Sequence, residues 1–164
     1  MKLTRVVSTE DYLEKLLTVE RPGMDGILAF YDHRLGVICK DPRLLYIPLD
    51  DHLVHRGDGV FETLKFVYSG LYQLDAHLER MQKSSSTIFL QPPCSWARVR
   101  ELVLEVCACT GKEEGIVSLF IGRGPGGFSV DFRECPESSL YVVAREYPDY
   151  EKELWQNGVT AYRT

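Results

Sequence analysis

The chain has 164 residues, with 19 Lys and Arg against 24 Asp and Glu, a formal net charge of −5, and 45% hydrophobic and 26% charged residues. An acidic chain without a basic cluster lacks the phosphate contacts that drive nucleic-acid binding, and no apolar run approaches the roughly 20 residues of a bilayer span. A chain of this length can bury roughly 70% of its unfolded surface, which predicts one full domain or one domain plus part of another.

The first dozen residues contain no apolar h-region of a secretory signal. The cysteines (Cys39, Cys94, Cys107, Cys109 and Cys135) are odd in number and irregularly spaced. They read as reduced packing thiols, so a cytoplasmic location is expected.

Residues 8–18 predict a short helix with Ser8 as N-cap, Asp11 in its first turn and Leu13, Leu16 and Leu17 on one face. Pro22-Gly23 ends it. Strand-like runs follow at 26–31 and 35–39, then a brief apolar stretch at 47–49 and a polar, turn-rich segment at 50–58. Residues 59–68 are rich in β-formers, and Ser69-Gly70 joins them to 71–74 as a hairpin. Asp75 is placed as N-cap of a helix over 76–87, with Leu78, Met81 and Ser85 on one stripe. Ser95 caps a second helix to about residue 109, with Val99, Leu102, Val103, Val106 and Cys107 as its apolar face and Gly111 as its stop. Apolar β runs at 116–121 and 140–144 flank Gly122-Arg123-Gly124-Pro125-Gly126-Gly127, and 159–162 looks like a strand just beginning. The fold class is therefore α+β: a strand meander, two helices and returning strands.

Four stretches bear on chemistry. In His55-Arg56-Gly57-Asp58-Gly59-Val60-Phe61-Glu62-Thr63, two glycines around Asp58 allow close backbone approach, either to a ligand or to a neighbouring strand. Arg80 sits near the positive end of a helix dipole, a placement explained by a bound anion or by an ion pair with Asp75, Glu79 or another acid. The glycine-rich 122–127 segment lacks the Gly-Lys-Ser/Thr ending of a phosphate loop and reads as a hinge or pocket wall, with Arg123 able to hold a carboxylate at two points. His52-x-x-His55 has no clustered further ligands, and Cys107-x-Cys109 points two ways on a helix, so no metal site is assigned.

Taken in order, three segments resemble the N-terminal region of the class IV aminotransferases, the pyridoxal-phosphate enzymes of fold type IV. That family includes branched-chain and D-amino-acid aminotransferases and aminodeoxychorismate lyase. The segments are His55 to Thr63; Tyr72 to Leu74 with His77-Leu78-x-Arg80-Met81 and Ser84-Ser85; and the β run from Val117 into Arg123-Gly124. The resemblance covers about residues 26–162 and implies pyridoxal 5′-phosphate as cofactor, with Arg80 gripping its phosphate. It also implies a substrate-pocket role for Arg123, as carboxylate binder, and for Phe61. Phe61 stands where D-amino-acid aminotransferases have Tyr; Phe128 and Val130 stand where that subgroup has a basic pair, and Phe128 replaces an Arg of the lyases.

The same resemblance places the lysine that bonds the cofactor, and the acid facing its pyridinium nitrogen, downstream. None of Lys2, Lys15, Lys40, Lys65, Lys83, Lys112 and Lys152 stands at the matching position, so that lysine is expected beyond Thr164. The implied layout is an N-terminal extension at 1–25, an α+β domain at 26–124, and a linker with the first strands of a C-terminal α/β domain at 125–164. The implied function is transamination between an amino acid and a 2-oxo acid by a homodimer, with no nucleic-acid or membrane partner. The alternatives are an aminodeoxychorismate lyase and a non-catalytic ligand-binding or dimerisation fragment.

Overall fold

The computed structural model of the chain describes residues 4–68, 70–148 and 152–163. Six antiparallel strands form one sheet in the order β2-β1-β6-β5-β3-β4. The strands are β1 (Ile27–Asp32), β2 (Val37–Cys39), β3 (Gly59–Val67), β4 (Gly70–Leu71), β5 (Glu114–Gly122) and β6 (Ser139–Arg145). The helices are α1 (Thr9–Leu16), α2 (His52–His55), α3 (Leu74–Thr87), α4 (Trp96–Thr110) and α5 (Lys152–Asn157). No described helix is long and apolar enough to cross a membrane.

The side-chain period of two sorts each strand between two faces. Leu64, Val117, Ala144 and Ala29 lie side by side across β3, β5, β6 and β1 and are all buried. Against this face α3 lays Leu74, Leu78 and Met81, and α4 lays Val99, Leu102, Val103 and Val106, forming the hydrophobic core. The opposite face is covered over β1 and β6 by the chain around residues 41–56. There Tyr141 Oη donates to the fully buried Asp51 at 3.1 Å, and Arg34 pairs with Asp32 and donates to the Tyr46 carbonyl. Over β3 and β5 this face is left open, with Phe61 exposed.

Local chemistry explains the ends of these elements. Ser8 accepts from the Asp11 amide at 3.1 Å, Ser95 accepts from the Arg98 amide at 3.2 Å, and Gly111 closes α4 with φ 69°. Asp75 is not a cap: α3 starts at Leu74, two residues before the expected residue 76, behind Gln73 in left-handed backbone at φ 50°. Its carboxylate instead accepts from Arg100 Nε on α4 at 3.0 Å, tying the two helices together. In the turn-rich segment, Asp51 accepts from the Leu53 amide at 2.9 Å and so starts the single turn of α2.

One expectation about the C-terminal part needs correction. Residues 159–162 are exposed and take no strand, because no described neighbour offers them a ladder. The sheet itself continues past residue 124. β6 is the one described strand that joins the β2-β1 pair to the β5-β3-β4 group, so residues 139–145 belong at the centre of the first unit.

All five cysteines are free. Burial pushes the Cys107 thiol up to about 12, so it packs and does not act as a nucleophile. Removing the Leu102 side chain from beneath the sheet is predicted to lower unfolding free energy by about 2–5 kcal/mol, read from urea denaturation. Leu13→Ala, on the exposed face of α1, should change it by no more than about 0.5 kcal/mol.

Candidate active-site segment at the start of β3

The turn before β3 and its first residues carry the chemistry. Gly57 holds φ 67°, and a side chain on Gly59 would meet the Ile121 carbonyl and Leu53 Cδ1 at 2.6 Å. Glycine at 59 therefore answers to close approach of β5 and α2. From that point alternation sends Phe61 to the open face and Glu62 to the helix face, while Asp58 stands in the turn.

Glu62 is a carboxylate in a core row. Its neighbours across the sheet are Leu119, Val142 and Tyr31, and only 3% of it is exposed. Arg80 Nε donates to its Oε1 at 2.7 Å, Arg80 Nη2 donates to its Oε2, and His77 Nδ1 lies 2.7 Å from the same Oε2. Burial pushes the Glu62 pKa up, but the hydrogen bonds from Arg80 and His77 outweigh it and hold the carboxyl below its ordinary value. The Arg80 side chain remains 67% exposed, and with Gln73, Ala76 and His77 it lines an open hollow of about 210 Å³. The ion-pair explanation of its position in α3 is thus correct in kind, with Glu62 as the acid rather than Asp75 or Glu79. The pair still leaves the Nη1 edge without a partner among the described residues, so the guanidinium can take an anion on that edge.

Arg123 faces a different carboxylate. Nε and Nη2 donate to Asp58 at 2.9 Å, Nη2 also donates to the Ile88 carbonyl at 2.9 Å, and Nη1 donates to the Phe89 carbonyl at 3.0 Å. These four bonds leave one of its five N–H groups. In this arrangement Arg123 joins the end of α3 to the β3 turn. Phe89 there holds left-handed backbone at φ 53° with an exposed ring.

Phe61 stacks on Phe120 of β5 with ring centres 6.0 Å apart. With Ile47, Leu53, Val54 and Gly59 the two rings line an apolar groove of about 460 Å³ on the open face. The structure does not gather Arg80, Arg123 and Phe61 into one cluster; each has its own partner, and Phe61 and Glu62 point to opposite faces. A larger hollow of about 600 Å³ lies at the far end of the sheet, beside the end of α4. Its rim cation, Lys112, is paired with Glu146 at 3.4 Å. Among the described residues no group of three or more His, Cys, Asp or Glu side chains is gathered as a metal would require.

The partners Glu62, His77 and Asp58 carry no role in the sequence reading. One signal for Glu62 is present: a charge at a strand position whose alternation matches Val60, Leu64 and Phe66. Because its folded pKa is depressed, its contribution to stability is complete above the unfolded value of about 4.3 and is lost as pH falls through the folded value. The stability gap between wild type and Glu62→Gln should therefore be constant near neutral pH and close in acid, read from urea midpoints at pH 7 and pH 3. Arg123→Ala should cost about 1.5–3 kcal/mol, and faster amide exchange around residues 88–90 should accompany the loss.

The family model of class IV amino-transferases matches residues 59–163. The chloroplastic D-amino-acid transaminase of Arabidopsis thaliana is 32% identical over 121 residues, covering 74% of this chain and 32% of that protein. A bifunctional aminodeoxychorismate lyase / D-amino acid transaminase of Mycobacterium tuberculosis is 32% identical over 122 residues, covering 73% of this chain and 40% of that one. Among solved structures, the branched-chain aminotransferase of the archaeon Thermoproteus uzoniensis with norvaline shares the fold at TM-score 0.65 and 20% identity, over 77% of this chain and 43% of that one. The chain thus spans well under half the length of the proteins it matches. With well over half of its length matched by the family model, the chain belongs to the class IV aminotransferase family.

Proposed function

We propose that this chain is the N-terminal part of a pyridoxal-phosphate enzyme that moves an amino group between an amino acid and a 2-oxo acid. The observation that carries the reading is Arg80: one edge of its guanidinium is held by buried Glu62, and the side chain stays exposed beside a hollow. When bound, pyridoxal phosphate supplies the electron sink that lets the α-proton leave and the amino group change owners.

Arg80 would hold the phosphate by charge-assisted hydrogen bonds. Phe61 and Phe120 would wall the substrate side and keep water from it, and Phe61 brings no hydroxyl to a carboxylate. Arg123 would contribute rigidity. Lys65, on the open face of β3, lies 3.6 Å from Glu114 and 4.0 Å from the Tyr147 ring centre. The lysine that bonds the cofactor would come from outside residues 1–164. The unit at 27–145 would be the N-terminal domain. A cytoplasmic homodimer acting on small amino and oxo acids fits the free thiols and the family.

A lyase that releases pyruvate from aminodeoxychorismate is the second reading, supported by the M. tuberculosis relative, whose name carries both activities. Formation of 4-aminobenzoate from that substrate separates the two.

In the chain joined to its downstream domain, Arg80→Ala should weaken pyridoxal phosphate about tenfold or more, followed by visible absorbance. Affinity for pyridoxal, which lacks the phosphate, should stay the same. Equal affinity of wild type and variant for pyridoxal phosphate contradicts the assignment.

A further inference from the structure

Glu62 and His77 have no role in the function proposed so far, yet the fold spends a buried charge on them. A carboxylate in a row otherwise made of Leu119, Val142 and Tyr31 is costly unless its oxygens are satisfied. Oε1 accepts from Arg80 Nε at 2.7 Å, and Oε2 faces both Arg80 Nη2 and His77 Nδ1. The guanidinium is planar, so fixing the Nε–Nη2 edge on a carboxylate turns the opposite edge away from it. His77 and Arg80 are three residues apart in α3 and so share a helix face, where both line the same hollow. The ionised carboxylate is an acceptor only, which puts the His77 proton on Nδ1 and leaves Nε2 on the far side of the ring.

We propose that Glu62 is the positioning residue of an anion site made by Arg80 and His77 together: it turns the Arg80 fork edge-on to the hollow and orients His77 as a second group facing the anion. The proposal rests on the reading that Arg80 takes a phosphate. It adds that a lone Arg80 on an exposed helix face is insufficient, because without Glu62 the long side chain samples many orientations. The Glu62→Gln amide offers one oxygen and sets an N–H₂ donor against either Arg80 or His77, so it cannot hold both.

The test uses the ¹⁵N-labelled chain joined to its downstream domain and pyridoxamine 5′-phosphate, whose amine does not react with surface lysines, with pyridoxamine as the phosphate-free control. In wild type, His77 should carry its ring proton on Nδ1 and the Arg80 Nε–H should exchange slowly; both readouts need no variant and no cofactor. A proton on Nε2 alone, or a freely exchanging Arg80 Nε–H, overturns the proposal. In Glu62→Gln both signatures should vanish, and affinity for pyridoxamine 5′-phosphate should fall about tenfold, towards that of Arg80→Ala, while pyridoxamine is unaffected. Adding Glu62→Gln to Arg80→Ala should cost less than Glu62→Gln alone costs in wild type, because with Arg80 gone Glu62 acts only through His77. If Arg80→Ala weakens binding and Glu62→Gln does not, the positioning role is wrong and the phosphate reading stands. If neither variant weakens binding, the phosphate reading fails and the proposal with it.

Discussion

A negative charge placed inside a hydrophobic row organises one side of this molecule. Glu62 takes a position that strand alternation assigns to the core, and the neighbouring rows of β5, β6 and β1 leave it no water. Donors must therefore come to it, and the first turns of α3 supply them through His77 and Arg80. The same pairing fixes how α3 sits on β3 and keeps a cation at the surface that would otherwise have no defined direction. Structure and binding chemistry here share one set of hydrogen bonds.

A second pair works one turn earlier in the chain. Asp58 holds Arg123, which in turn takes the carbonyls of Ile88 and Phe89 at the far end of α3. Both ends of α3 are thus anchored to residues 58–62. The two arginines differ in what they have left to offer. Arg123 is nearly saturated and largely buried, whereas Arg80 is held on one edge and exposed. Arg80 therefore keeps donors for a further partner, and Arg123 keeps almost none.

Much of the architecture was legible because it follows from local rules. Ser8, Ser95 and Gly111 act as caps where their chemistry predicts, and the stripes Leu78–Met81–Ser85 and Val99–Leu102–Val106 are buried. What escaped depends on tertiary partners. Asp75 has the side chain of a cap, but Arg100 competes for it successfully. The central place of β6 cannot be read from its own residues, because a short apolar run does not say which strands it will join. At the site, the motif that contains Arg80 is legible while its partner Glu62 is not, since a strand glutamate reveals itself only when its face is known. Around Arg123, nothing local in the sequence announces that Asp58 and two carbonyls surround it.

The central claim is that this chain contributes the phosphate-holding half of a pyridoxal-phosphate site through an arginine clamped by Glu62. Its most direct test is a crystal structure of the chain joined to its downstream domain, grown with pyridoxal phosphate. The prediction is a phosphate oxygen within hydrogen-bond distance of Arg80, with Glu62 still on the Nε–Nη2 edge. Phosphate bound away from α3, with Arg80 making no contact to it, would contradict the account.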